Sequence, residues 1–400
     1  MDSGQPILDI RAASKSRRPP ALGDNERMPP CDEDLAWLAL TRAPALSVPI
    51  LSTALETLGQ AGGLLRAPDH LRSRAGLPAA TCEYLRAAAA APTAAELAWL
   101  ESSGHHLLPF TDPRFPQLLR SLPGCPIALY VDGDVDVLGD PQLAIVGSRN
   151  PSAQGRDTAF EFAAYLSQVG LTITSGLAEG IDSQAHRGAL SAHGFTVAVL
   201  GSGADVIYPR GNRGLAAEVA RHGALISEFP LGTPPRREHF PQRNRLIAGL
   251  TLGTLVVEAA SRSGSLVTAR HAGEFGREVF AIPGSIHNPV ARGCHQLIRQ
   301  GAKLTESAAD ILAELNFSPY LDPRPAALSS RNQRPVLDSG MDKDHKILLD
   351  ALGFDPTDLD ALVVRTGFKP EALSSMMLIL ELEGHVQAAP GGRYSRVARR

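Results

Sequence analysis

The run Leu143-Ala-Ile-Val-Gly-Ser-Arg-Asn-Pro151 is four apolar residues that break at a glycine, and a helical pattern opens near Gly155. A strand that turns at glycine into a helix is half of a βαβ unit. The same alternation recurs downstream. Leu171-Thr-Ile-Thr174, Phe195-Thr-Val-Ala-Val-Leu200, Ala224-Leu-Ile-Ser227, Thr254-Leu-Val-Val-Glu258 and Glu278-Val-Phe-Ala-Ile282 are short β-branched or apolar runs separated by helical stretches. Strands alternating with helices predict an α/β fold, a parallel sheet with helices on both faces, whose ligands sit beyond the carboxyl ends of the strands. The chemistry is therefore expected in the loops that follow those runs.

Outward from this block the pattern changes. Residues 1–30 are rich in Pro, Gly, Ser and charge and read as a disordered leader. Residues 31–105 read as a small helical domain, with Leu35, Leu38 and Ala39 on one face and Leu51, Leu55 and Leu58 on another. This domain weakly resembles helix-hairpin-helix (SAM-like) modules but lacks their Gly-x-Gly hairpin. The α/β block then spans 106–317, and a Pro-, Ser- and Arg-rich linker covers 318–340. Residues 341–397 read as helix, helix, turn at Thr366-Gly367, helix from Pro370 and a hairpin at Gly391-Gly392, the winged helix-turn-helix pattern.

With 39 basic and 42 acidic side chains among 400 residues, the formal charge of −3 excludes a uniformly cationic polymer binder. Any nucleic-acid surface has to be local. No apolar run approaches the roughly 20 residues of a membrane span, and the first 30 residues lack a signal-peptide core. Cys31, Cys82, Cys125 and Cys294 form no C-x-x-C pair, so neither a disulfide framework nor a metal site is expected, and a reducing cytoplasm is the default.

Gly147, Ser148 and Arg149 stand where a phosphate could meet free helix-start N–H groups, with Arg149 supplying a full charge. The alternative is a tight turn and a surface ion pair. The G-x-G-x-x-G fingerprint is absent and the second strand ends in Ser175-Gly176 rather than an acidic residue, so no dinucleotide cofactor is expected. Asp182 and His186, four apart, have no activated nucleophile beside them and read as structural. Ser263, Gly264 and Ser265 precede a helix and offer either a second phosphate cradle or an ordinary serine cap.

The richest segment is Pro234-Pro-Arg-Arg-Glu-His-Phe-Pro-Gln-Arg-Asn-Arg245, in which Arg236, Arg237, Arg243 and Arg245 face only Glu238. Arginines interleaved with Phe240 suit single-stranded nucleic acid, because cations hold phosphates while an aromatic face stacks a base, worth about 1–3 kcal/mol per base. Duplex hides its bases and gains nothing from the ring. Alternatively Phe240 plugs the core while Arg243 or Arg245 caps neighbouring carbonyls.

Gly147-Ser-Arg149, Ser175-Gly176, Gly180-Ile-Asp182, Ala185-His186, Tyr208-Pro209, Phe240-Pro-Gln-Arg-Asn-Arg245, Ser263-Gly-Ser-Leu266 and Pro283-Gly284 occur in order. Together they resemble the DNA-processing protein DprA (Smf) family over about residues 106–315. The resemblance implies an extended Rossmann-like domain that binds single-stranded DNA, dimerises, protects incoming DNA and loads the RecA recombinase during natural transformation, as a binding protein and not an enzyme. It places DNA contacts on Arg149, Arg237 and Phe240, with Arg243 and Asn244 in the same motif. Residues 341–397 likewise resemble the winged-helix module of many members. Their helices carry Asp358, Asp360, Glu371, Glu381 and Glu383 against Arg365 and Lys369, which favours protein contact or regulation over a duplex backbone. Two rivals remain: a phosphoribohydrolase-type enzyme, whose Pro-Gly-Gly-x-Gly-Thr loop is replaced here by Ser263-Gly-Ser-Leu-Val-Thr268, and a winged-helix transcription regulator.

Overall fold

The computed structural model describes residues 32–87, 90–286, 288–317, 343–352 and 356–397. The expected leader and linker, Cys31 and the last three residues lie outside them. Six strands fall where the apolar runs predict: β3 (Gln142–Val146), β4 (Thr172–Ser175), β5 (Thr196–Val199), β6 (Gly223–Ser227), β7 (Gly253–Val256) and β8 (Glu278–Ala281). Between them run α8 (Ala153–Gln168), α9 (Ile181–Ser191), α10 (Arg213–Arg221), α11 (His239–Leu250) and α12 (Ser265–Glu274). These six strands are mutually parallel and nearly every residue in them is buried, as expected of strands covered on both faces.

The sheet is larger than the sequence reading and is not wholly parallel. β1 (His105–Pro109) and β2 (Ala128–Gly133) pair antiparallel with each other, and β2 pairs antiparallel with β6. At the far edge β9 (Lys303–Leu304) follows α13 (Arg292–Arg299) and precedes α14 (Ala308–Glu314). The full order is β1-β2-β6-β5-β4-β3-β7-β8-β9. From β3 the chain steps outward through β4, β5 and β6, then returns to the other side of β3 as β7 and β8. That reversal between β3 and β7 is the topological switch point, where open α/β sheets form their ligand crevice.

The N-terminal helices α1 (Asp32–Arg42), α2 (Val48–Leu58), α3 (Ala61–Arg66), α4 (Asp69–Arg74), α5 (Ala79–Arg86) and α6 (Ala94–Glu101) share one apolar core with the antiparallel edge of the sheet, where α7 (Gln117–Arg120) also packs. Trp37 meets Phe110 edge-on at 5.9 Å, Trp99 stacks on His105 at 4.3 Å, and the Thr41 and Tyr130 hydroxyls are hydrogen-bonded at 2.9 Å. Leu38, Leu40, Leu51 and Leu64 are fully buried there, each contributing about 1.5–3 kcal/mol.

Near the C-terminus, α15 (Lys343–Leu352), β10 (Thr357–Asp358), α16 (Leu359–Thr366), α17 (Pro370–Leu382), β11 (Val386–Ala389) and β12 (Arg393–Arg396) form a three-stranded winged helix. Asp358 caps α16 by accepting the Ala361 N–H at 2.7 Å, left-handed Gly367 ends it, and Pro370 opens α17. Leu348, Leu352, Leu362, Leu373, Met377, Leu380 and Val386 are its core. Val364 and Leu382 stay exposed.

Candidate nucleic-acid interface

The carboxyl edge of the parallel strands is gathered by one helix. Residues in the first two turns of α11 reach the ends of five strands. Phe240 lies under the Arg149 guanidinium, 5.4 Å from the ring centroid, in the loop after β3. Arg243 donates to the Gly176 carbonyl after β4 at 2.8 Å and to the Val199 carbonyl at the end of β5. Asn244 donates to the Gly264 carbonyl after β7 at 3.2 Å, and Arg245 pairs with the largely buried Glu228 carboxylate after β6.

Phe240 is half-buried against Gly201, and Tyr208, 45% exposed, sits 5.8 Å from it with the rings inclined at 49°. Arg149 is exposed and makes no hydrogen bond to the described residues, so its donors are open to a ligand. The aromatic seat and free cation expected from the sequence are therefore neighbours on the rim.

Arg243 is a correction. It is only 4% exposed, and its guanidinium serves backbone carbonyls, with its Cζ 6.0 Å from the Phe240 centroid beneath the surface. The alternative that Arg243 caps carbonyls is the one the structure adopts. Burial, only partly offset by nearby Asp182, lowers its pKa to about 10. Gly176 has to lack a side chain, because a Cβ there would stand 2.3 Å from the Arg243 Nη1. Burial raises the Asp182 pKa against the pull of Arg243, while its Oδ2 accepts the N–H groups of Gly176 and Ala178. Asp182 and His186 are both buried, in keeping with a structural role.

The loop bearing Gly147, Ser148 and Arg149 is pinned from two sides. The Ser148 carbonyl accepts the Ile181 N–H at 3.1 Å, and Gly180, with φ +82°, lies so close that a Cβ would meet the Ser148 oxygen at 2.3 Å. On the other side Glu258, 8% exposed, accepts both the backbone N–H and the hydroxyl of Ser152. Ser152 in turn caps α8 through the Gly155 N–H at 3.0 Å. The negative charge favoured at a helix start is thus supplied by the chain itself. Sequence reasoning missed this role of Glu258, because a glutamate ending a strand carries no local sign of the helix it will cap.

Other expected contacts are spread out. Arg236 and Arg237 are exposed in the segment leading to α11, and the guanidiniums over the Phe240 ring are those of Arg149 and Arg243 among the described residues. Ser263 and Ser265 share a hydroxyl–hydroxyl hydrogen bond of 2.7 Å, the Ser263 hydroxyl accepts the Ser265 N–H at 3.3 Å, and Ser265 is buried while Gly264, at the start of α12, is exposed. No cluster of three metal-ligating side chains and no helix long and apolar enough to cross a membrane occur among the described residues.

Residues 106–316 match the family model of DNA recombination-mediator protein A, and 323–392 match that of the DprA winged helix domain. The chain belongs to the DprA family. Protein Smf of Escherichia coli K12 is 45% identical over 306 residues, 76% of this chain and 80% of that protein. The DNA processing protein DprA of Streptococcus pneumoniae R6 is 46% identical over 206 residues, 52% and 73% of the two chains. The X-ray structure of DprA from Streptococcus pneumoniae superposes with a TM-score of 0.60 at 36% identity, covering 73% of this chain and 100% of that one. The DprA match at 106–316 contains the whole α11 cluster, the Arg149 loop and Glu258.

Proposed function

We propose that this chain binds single-stranded DNA along the carboxyl edge of its sheet, protecting the strand and presenting it to the RecA recombinase during natural transformation and recombination. The carrying observation is the unpaired Arg149 guanidinium 5.4 Å above the half-buried Phe240 ring. A base takes the place of the Arg149 guanidinium over Phe240, beside Tyr208, while the displaced Arg149 and Arg237 take phosphates, and Ser148 and Gly264 allow close backbone approach. Arg243 and Asn244 hold the seat in place, and the protein acts as a cytoplasmic homodimer.

A binding role fits better than catalysis. The Asp182 carboxylate is engaged by backbone N–H groups and His186 by Thr196, both inside the molecule. Glu258 occupies the helix start at the switch point, the position a nucleotide phosphate takes in a nucleotide-processing enzyme of this architecture.

Titration of labelled oligonucleotides at several salt concentrations tests the proposal. Single strands should bind more tightly than duplex, affinity should fall steeply with salt, and Arg149→Glu or Arg237→Glu should weaken it. Equal affinity for the two forms would remove the stacking account.

A further inference from the structure

A cleft of about 350 Å³ lies between the starts of α8 and α9, with Arg149 in its wall. Its walls include Arg149, Arg156, Arg187, Glu179, Gln184 and Asn212. Sequence reasoning singled out only Arg149 of these, because Arg156 and Arg187 look like ordinary exposed helix positions. We infer that this cleft is a second seat for phosphate groups of the bound strand, continuing from the Phe240 seat through the shared Arg149. The inference rests on the single-strand reading above.

Three guanidiniums face one carboxylate, and none of the three is ion-paired among the described residues. Arg187 and the Gln184 amide make no hydrogen bond to the described residues, and Arg156 donates to the Pro151 carbonyl at 3.1 Å, leaving other donors. Like-signed charges in a cleft focus the field outward, and guanidinium forks match phosphate oxygens in pairs. The floor is fixed, because buried Asn212 donates to the Leu177 carbonyl at 2.8 Å and the Ser183 hydroxyl at 3.0 Å. α9 begins at this cleft, with its first N–H taken by the Ser148 carbonyl and the buried Asp182 carboxylate in its first turn, so the attraction for phosphate rests on the three guanidiniums. No aromatic ring lines the cleft, in contrast to the Phe240 seat. It takes phosphate and sugar and leaves the base outside.

Because Arg149 both covers Phe240 and lines the cleft, the two seats are adjacent and a strand can fill them together. Short oligonucleotides occupy the Phe240 seat alone and longer ones occupy both. The test uses the full chain and oligothymidylates of increasing length, read by fluorescence anisotropy over a salt series. The variants are Arg156→Glu, Arg187→Glu and their combination, with thermal melts confirming folding and Arg187→Lys as the charge-preserving comparison.

For the double variant, short oligonucleotides should bind as they do to the unsubstituted protein. Long ones should lose about tenfold or more, with the logarithmic salt slope shallower by about 1.4, the value for two phosphate contacts on a single strand. Arg187→Lys should keep most of that slope. Unchanged affinity and slope for long strands overturn the inference, as does an equal loss at every length. Thymidine monophosphate separates a strand seat from a free-nucleotide pocket: tight binding abolished by Arg187→Glu would overturn the strand seat. If the unsubstituted protein does not bind short single strands, the single-strand reading fails and the cleft reading with it. If it binds them and only the length dependence is missing, the cleft reading alone fails.

Discussion

Glu258 closes on Ser152: its Oε2 accepts the Ser152 backbone N–H at 2.8 Å and its Oε1 accepts the Ser152 hydroxyl at 2.6 Å. The pair ties the segment after β7 to the loop after β3, across the switch point of the sheet. Arg149 is three residues from Ser152, so the same contact steadies the free cation at the rim.

Glu258→Ala should therefore destabilise the protein by about 1–3 kcal/mol, the cost of leaving two donors without a partner. Formate or inorganic phosphate should restore part of the loss in this variant, because a small anion can refill the helix start, and should do little for the unsubstituted chain. Thermal melts with and without the anion measure both effects. An Ala variant as stable as the parent would remove the sealing role of Glu258.

Arg243 and Arg149 lie near the same ring, one below the surface and one above it, and their substitutions should separate. Arg243→Ala leaves the Gly176 and Val199 carbonyls without a charged donor and should cost roughly 3 kcal/mol of stability. It should also weaken single-strand binding through a displaced Phe240, with no change in salt slope. Arg149→Ala should leave stability almost untouched and reduce the slope by about 0.7, one phosphate contact. Urea melts and salt titrations distinguish the two.

The six central strands were legible because each is a short apolar or β-branched run between helical patterns, a local signal. β1 was not, since His105-His-Leu-Leu-Pro109 shows no alternation and ends in proline. β9, with two residues, gives no period at all. Whether a strand joins parallel or antiparallel depends on its partner, so the reversed edge formed by β1 and β2 was hidden for a second reason. At the site, Arg149 and Phe240 were legible as a cation and a ring that suit one ligand. Arg243 was misread because an arginine in a basic run looks exposed. Its burial follows from carbonyls left open at the ends of β4 and β5, which only the assembled sheet reveals.

Phe240→Ala should weaken single-strand binding by about 1–3 kcal/mol, the worth of one stacked base, and leave the salt slope unchanged. Phe240→Trp preserves the flat apolar face and should retain most of the affinity. Anisotropy at two salt concentrations checks this. A Phe240→Ala protein that binds normally would show that the ring only fills space against Gly201.

His186 gives the protein a specific acid limb. Its Nδ1 is 2.7 Å from the Thr196 hydroxyl, which itself donates to the Ile173 carbonyl at 2.7 Å. The hydroxyl hydrogen is thereby committed, so Nδ1–H is the donor and the ring is neutral. Burial, reinforced by the Arg243 charge, depresses its pKa from 6.5 to about 3. Between those values the unfolded chain binds a proton that the folded chain refuses, so stability is complete above pH 6.5 and falls as the pH is lowered, by roughly 1.4 kcal/mol per unit. His186→Asn can still donate to Thr196 but does not titrate. Its stability should fall less steeply with acid, and by pH 5 the two proteins should have converged by about 2 kcal/mol relative to their difference at neutral pH. Urea melts across this range measure the two slopes, and parallel curves would mean that His186 takes up its proton in the folded state.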